Sequence, residues 1–325
     1  MKKHRRKSAA IIAVICALLI AAALLFLPDK QPERETAGAN AADETGSAAA
    51  HSSTEAENMA GQLETVSYTI NYDGGTYDKE AYVYVPASYD GAEPMNILYL
   101  MHGSGGSGES LAESLQPLFD SWISSGEMDP MLVVFPTYSP DSSFVTADYS
   151  EDYPLNHFFA ESEVTELMRA AEGKLRTYAE STDDAGFRNS RMHRAFGGYS
   201  MGGVTTWDVL AYQASYFGYY MPMAGDCWLD RVTEASSDSD TADLLMQGLE
   251  EGGYTSEEFR IIAMVGGSDG TKSAMKPQIE ALRENHADLI TDDNLLYWEN
   301  EGGGHNLASL ETEVRHGLPY LWTAE

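Results

Sequence analysis

Cysteine is almost missing from this 325-residue chain, which has only Cys16 and Cys227. Cys16 falls in an apolar run near the start, so Cys227 stands alone in the remainder. No internal disulfide can brace such a fold, and Cys227 reads as a small buried hydrophobe rather than a catalytic thiol. Basic residues are also scarce, 20 against 51 acidic ones, for a net charge of −31. A chain that acidic repels a phosphate backbone, which excludes nucleic acid as a partner. The shortage is uneven: Lys2, Lys3, Arg5, Arg6 and Lys7 supply five of the 20, and no acid precedes Asp29. The rest carries 15 basic against 51 acidic residues, a net of −36. A nucleotide P-loop is lacking too, because no Lys-Ser or Lys-Thr pair follows the glycine-rich stretch from His102 to Gly108. What is present is a 43% hydrophobic and 10% aromatic share, enough for a sizeable core.

Behind the basic cluster, Ala9 to Leu27 runs without a charge. About 19 helical residues rise roughly 28 Å, close to the hydrocarbon thickness of a bilayer. Residues 1–28 are therefore expected to be a signal anchor, basic end inside, with everything after Pro28 outside the cell. A cleaved signal peptide is the rival reading. Polar residues, however, separate the apolar run from the small triplet Ala37-Gly38-Ala39. Either way the protein is exported, and an uncleaved N-terminal segment makes the membrane a partner. Residues 29–62 are rich in Ala, Glu, Ser, Thr and Gly without apolar periodicity and read as a flexible acidic tether. Residues 63–325 have the length of one α/β domain.

Within that domain VSYTINY and EAYVYVP read as an antiparallel pair around Asp73-Gly74-Gly75. NILYLM, MLVVFP, HRAFGGY, FGYYMPM, RIIAMVG and NLLYWE are short apolar runs of the kind a sheet buried on both faces needs. Helical candidates lie between them: FFAESEVTELMRAAEGKLRTYAE, VTTWDVLAYQAS and SAMKPQIEALRENH. Alternating strands and helices predict a mostly parallel sheet with right-handed crossovers, helices on both faces, and ligands at the C-terminal strand ends.

Four strand ends carry chemistry. Gly198-Tyr199-Ser200-Met201-Gly202 follows HRAFGGY and precedes a helix, the setting in which G-x-S-x-G lifts a nucleophilic hydroxyl out of the sheet. His102-Gly103-Ser104-Gly105-Gly106 follows NILYLM; the main-chain N–H groups of Ser104 and Met201 are candidates for an oxyanion hole, with His102 shaping the loop. His305, in Gly302-Gly303-Gly304-His305-Asn306, sits on a glycine loop that core packing does not explain, and it suits a general base for Ser200. Asp269, in VGGSDG, is the favoured acid to orient it; Asp226, in MAGDCW, also follows a strand and competes. Trp228 and Tyr138, at strand ends as well, are candidate aromatic walls for a substrate ring or sugar face.

HGSGG, GGYSMGG, GGSDG and GGGHN, in this order, resemble the esterase D and feruloyl esterase branch of the α/β-hydrolases, which also holds acetyl xylan esterases and mycolyltransferases. The resemblance runs from Leu63 to Trp322. It implies an α/β-hydrolase fold and a cofactor-free, metal-free serine esterase of the carbohydrate esterase family one type, acting on feruloyl or acetyl esters of cell-wall polysaccharide such as xylan. It further implies Ser200 as nucleophile, His305 as base, Asp269 as acid, and Ser104 with Met201 as oxyanion donors. An acyltransferase using the same triad, and a non-catalytic binding module on the same scaffold, are the alternatives.

Overall fold

The computed structural model describes residues 60–323; the anchor and nearly all of the tether lie outside them. The elements are β1 (Gln62–Tyr72), β2 (Gly75–Val85), β3 (Ile97–Met101), α1 (Gly108–Ser125), β4 (Leu132–Phe135), α2 (Tyr153–Phe158), α3 (Val164–Lys174), α4 (Asp184–Asn189) and β5 (Arg194–Tyr199). There follow α5 (Met201–Gln213), β6 (Tyr219–Met223), α6 (Asp238–Glu251), β7 (Arg260–Gly266), α7 (Lys272–Asn285), β8 (Leu295–Asn300) and α8 (Leu307–Gly317). Among the described residues no helix is long and apolar enough to cross a membrane.

The strands form one eight-stranded sheet in the order β1-β2-β4-β3-β5-β6-β7-β8. β1 and β2 pair antiparallel from Tyr72↔Gly75 to Gln62↔Val85, and β2 pairs antiparallel with β4. Every other pairing is parallel. The hairpin turns through Asp73 and Gly74, both at positive φ, as a two-residue Asp-Gly turn requires. β1 alternates buried and exposed residues, whereas β3, β4, β5 and β6 are buried throughout. That contrast marks one half-covered edge and a centre covered on both faces.

One element differs from the expected pattern. The long helix expected from Phe158 is three pieces: α2, a π-helical turn over Phe159–Glu163, and α3, which stops at Lys174. It stops because Leu175 turns extended and the next residues join the sheet region, Met95 N–H donating to the Arg176 carbonyl at 3.2 Å and Met95 bridging Thr177. A tertiary pairing overrides a helical propensity there. The π turn buries Glu163 beside Lys79, 2.5 Å away, with the Tyr68 hydroxyl donating to the same oxygen. A second buried pair, Arg194 with Glu172, clamps the start of β5, and Tyr99 on β3 donates to the same carboxylate. β5 is thus fixed at its start and β3 at its middle residue.

Candidate active site

β5 ends where the backbone turns sharply into α5. Ser200, at the turn, has φ 58° and ψ −117°, a conformation that costs a non-glycine residue about 1–3 kcal/mol. The flanking glycines permit it by close approach. A Cβ at Gly198 would stand 2.4 Å from the Gly202 carbonyl oxygen, and one at Gly202 would stand 2.3 Å from that of Met101. The turn is held by Ser200 N–H donating to the Met223 carbonyl of β6 at 2.9 Å, and by Val204 N–H returning to the Ser200 carbonyl at 3.0 Å. Met201 becomes the first residue of α5, so its N–H has no partner within the helix and belongs to the positive end of the dipole.

The loops after β7 and β8 meet at this turn. The Ser200 hydroxyl donates to Nε2 of His305 at 2.9 Å, and Nδ1–H of His305 donates to Oδ2 of Asp269 at 2.8 Å. The other carboxylate oxygen, Oδ1, accepts from Thr271 N–H at 2.9 Å and the Thr271 hydroxyl at 2.8 Å. Burial pushes the Asp269 carboxyl up. The hydrogen bond and charge of His305 and the two bonds from Thr271 outweigh that push and hold it below its ordinary value. Asp269 is therefore an anion over the whole neutral range. The environment is graded: the Asp269 side chain is 1% exposed, whereas that of His305 is 41% exposed. The ring of Tyr199 packs at 5.0 Å from the imidazole and limits its swing.

The loop after β3 closes the opposite side. Gly103 lies so near that a Cβ there would sit 3.1 Å from the Cβ of Ser200. His102 is neutral, driven by burial down to about 4. Its Nδ1–H donates to the Gly103 carbonyl at 2.7 Å, and its Nε2 accepts from the Thr137 hydroxyl at 2.9 Å. Ser104 donates its hydroxyl to Asp152 at 2.5 Å, which leaves its main chain as the group facing the site. A cavity of about 400 Å³ lies between the loops, lined by His102, Ser104, Tyr199, Ser200, His305, Leu307 and Leu310.

Of the residues proposed from sequence, Ser200, His305, Asp269, Ser104 and Met201 come together here, and Asp226 does not reach the imidazole. Asp226 and Trp228 instead line a neighbouring polar cavity of about 420 Å³ with Arg231 and Gln278, and burial pushes the Asp226 carboxyl up. Trp228 is half-buried among Tyr153 and Tyr149, and the Arg231 guanidinium lies 3.4 Å over its ring. Tyr138 is a correction. It is 2% exposed, packed 4.9 Å from His102, and its hydroxyl donates to Asp152 at 2.9 Å, so it offers no face to a substrate.

Two residues escaped the sequence reading. Asp152 takes both Ser104 and Tyr138 on one oxygen and so ties down the loop after β3. Asn156, fully buried, donates to the Thr205 hydroxyl at 2.7 Å and the Met201 carbonyl at 3.3 Å, bracing the first turn of α5. Neither sits in a recognisable motif; an acid and an amide in the run SEDYPLN carry no local sign of partners 48 and 45 residues away.

No family model matches the chain. The chain is 33% identical over 272 residues, 81% of its length, to endo-1,4-beta-xylanase Y of Acetivibrio thermocellus, and it spans 23% of that curated relative. The feruloyl esterase module from Clostridium thermocellum, solved as a complex with sinapinate, is similar at 32% identity with a TM-score of 0.68; the match covers 82% of this chain and 89% of the module. A CE1 ferulic acid esterase from Anaeromyces mucronatus shares the fold, with 16% identity and a TM-score of 0.62 over 82% of this chain and 91% of that one.

Proposed function

Because the chain belongs to the feruloyl esterase branch of the α/β-hydrolases, a family of carboxylic ester hydrolases of the carbohydrate esterase family one type, we propose that it is a serine esterase releasing feruloyl groups from a xylan-type polysaccharide. The observation that carries this reading is the hydrogen-bonded line Ser200–His305–Asp269, assembled at the C-terminal ends of β5, β8 and β7 beside the N-terminus of α5.

In this mechanism Ser200 attacks the ester carbonyl while His305 Nε2 takes its proton, and Asp269 stabilises the imidazolium through Nδ1. The tetrahedral oxyanion is met by the main-chain N–H groups of Ser104 and Met201, each contributing about 3 kcal/mol to lowering the barrier. His305 then returns the proton to the departing sugar hydroxyl. A water, deprotonated by the same nitrogen, resolves the acyl-enzyme. The imidazole, 41% exposed, is open to water, and the similarity to esterases supports hydrolysis over acyl transfer.

The hollow that Trp228 lines, with Tyr149 beside it, supports an aromatic acyl group over acetyl, since an acetyl group needs no aromatic wall. The basic and apolar character of residues 1–28 supports a place at the outer cell surface, where such polymers are met. The test compares methyl ferulate, p-nitrophenyl acetate and acetylated xylan, with Ser200→Ala as control. Release of acetate but no ferulate overturns the acyl preference, and a loss below about tenfold in the control overturns the nucleophile.

A further inference from the structure

A second concave surface lies along the same two helices that border the candidate active site. The first turns of α1 and α8 contribute Leu111 and Leu310 to the cavity at Ser200. At the other end of the same helices, Glu127, just past α1, and Arg315, in the last turn of α8, join as an ion pair with Arg315 Nε 2.8 Å from the carboxylate. That pair is one wall of a cavity of about 520 Å³ whose other walls are Trp298, His316, Pro319 and Tyr320. From Leu307 to Arg315 α8 rises about 12 Å and from Leu111 to Glu127 α1 rises about 24 Å, so the two hollows lie at opposite ends of the same pair of helices.

The composition of this hollow is unusual for its position. Trp298 lies on β8, the terminal strand of the sheet, where exposed backbone is ordinarily guarded by charge. Its indole stacks against the imidazole of His316, centroids 3.8 Å apart and planes 13° from parallel, and the Tyr320 ring stands at 51° to that imidazole. Tyr320 is 37% exposed, which leaves it open to a partner. Burial lowers the basicity of His316, so the stack is uncharged at neutral pH. Two aromatic surfaces at an angle, beside an ion pair with spare hydrogen-bonding capacity, match a ring with apolar C–H faces and equatorial hydroxyls. The net charge of −31 disfavours an anionic polymer and leaves a neutral one unopposed.

We propose that the Trp298–His316–Tyr320 hollow is a secondary binding site for the neutral sugar backbone of the polysaccharide whose ester is cleaved at Ser200. The backbone runs from the candidate active site along α1 and α8 to the aromatic stack. This rests on the esterase reading for the identity of the polymer, though not for the binding itself.

The experiment uses the purified full chain with Tyr320→Ala, Trp298→Ala and the double variant, each also in a Ser200→Ala background that binds without cleaving. Retention on insoluble arabinoxylan is measured in the inactive background. Kinetics on soluble feruloylated arabinoxylan and on methyl ferulate are measured in the active one. The expected result is weaker retention and a KM on the polymer raised about three- to tenfold per ring removed, with kcat on the polymer and both constants on methyl ferulate unchanged. Tyr320→Ala decides alone if Trp298→Ala loses methyl ferulate turnover, because Tyr320 is a surface side chain. Equal retention and equal KM in Tyr320→Ala overturn the proposal. So does a concentration-dependent dimer that Tyr320→Ala abolishes while polymer binding stays intact. Absence of methyl ferulate turnover in the unaltered chain overturns the esterase reading instead, and retention by the Ser200→Ala chain still reports on the hollow.

Discussion

His305 and Asp269 stand 36 residues apart, on loops that follow adjacent parallel strands, and their side chains meet at 2.8 Å. The separation matters because the bond fixes which imidazole nitrogen carries the proton. Asp269→Asn keeps the shape but can donate to Nδ1, leaving the proton on Nε2, where it cannot accept from Ser200. A fall in kcat on the order of 10⁴ at neutral pH is expected, with KM little altered. Steady-state kinetics on methyl ferulate check it, and a loss confined to KM refutes it.

The same carboxylate makes a stability prediction. Its folded-state pKa is depressed, so its stabilising contribution is present above the ordinary carboxylate value and is lost as pH falls through the depressed one. Asp269→Asn should flatten the acid side of a urea-midpoint profile and leave the alkaline side parallel to the unaltered chain.

Glu313 carries the opposite sign. It is wholly buried on α8, and burial, with the Asp269 charge adding and Asn300 opposing, pushes its carboxyl from 4.5 up to about 8. Folding therefore retains a proton that the unfolded chain releases, and stability falls as pH rises from 4.5 to about 8. Glu313→Gln should remove this slope, so its advantage in unfolding midpoint should widen from pH 5 towards pH 8. Parallel profiles for the two chains would sink the assignment.

Ser200 supplies a test in which activity and stability part company. Ser200→Ala keeps the strained turn and loses the nucleophile, with kcat/KM down on the order of 10⁴ or more. Ser200→Gly should be equally inactive but more stable than Ser200→Ala by about 1 kcal/mol, because glycine adopts φ 58° without steric cost. Denaturant unfolding of the two inactive variants side by side measures the difference.

Asp152→Ala should release the loop that carries Ser104. The expected outcome is a drop in kcat of about 10–100-fold on every ester tested, as befits weakened oxyanion contacts, with a stability loss of about 1–3 kcal/mol from the stranded Tyr138 hydroxyl. A loss on feruloyl esters alone would contradict a role at the oxyanion.

The sheet and the meeting point of Ser200, His305 and Asp269 were legible because their signals are local. Apolar runs mark parallel strands, and each chemical residue sits among glycines just past one. The helices were less so. α1 has a capping box from Ser107 and Ser110 and a left-handed Gly126 after it, but Pro117 in its middle and its many serines mask the helical period. α6 buries a stripe of Ala242, Leu245, Met246 and Leu249, but it is short and set among acidic and polar residues. The π turn at Phe159–Glu163 and the partners of Asp152 and Asn156 have no sequence signature at all, since contacts far along the chain create them. Tyr138 misled for a related reason: a tyrosine at a strand end looks like a wall, and only the buried acid beneath it reveals an internal strut.

Asp152 and Tyr153 are consecutive. The first grips the loop that bears Ser104, and the second rests 5.8 Å from the indole of Trp228. One peptide unit therefore joins the grip on the loop after β3 to the aromatic cluster around Trp228. A substitution that shifts Tyr153 pulls on Asp152 as well, so redesign of the hollow at Trp228 is expected to alter turnover together with affinity, and kcat and KM measured side by side across Trp228 variants check it.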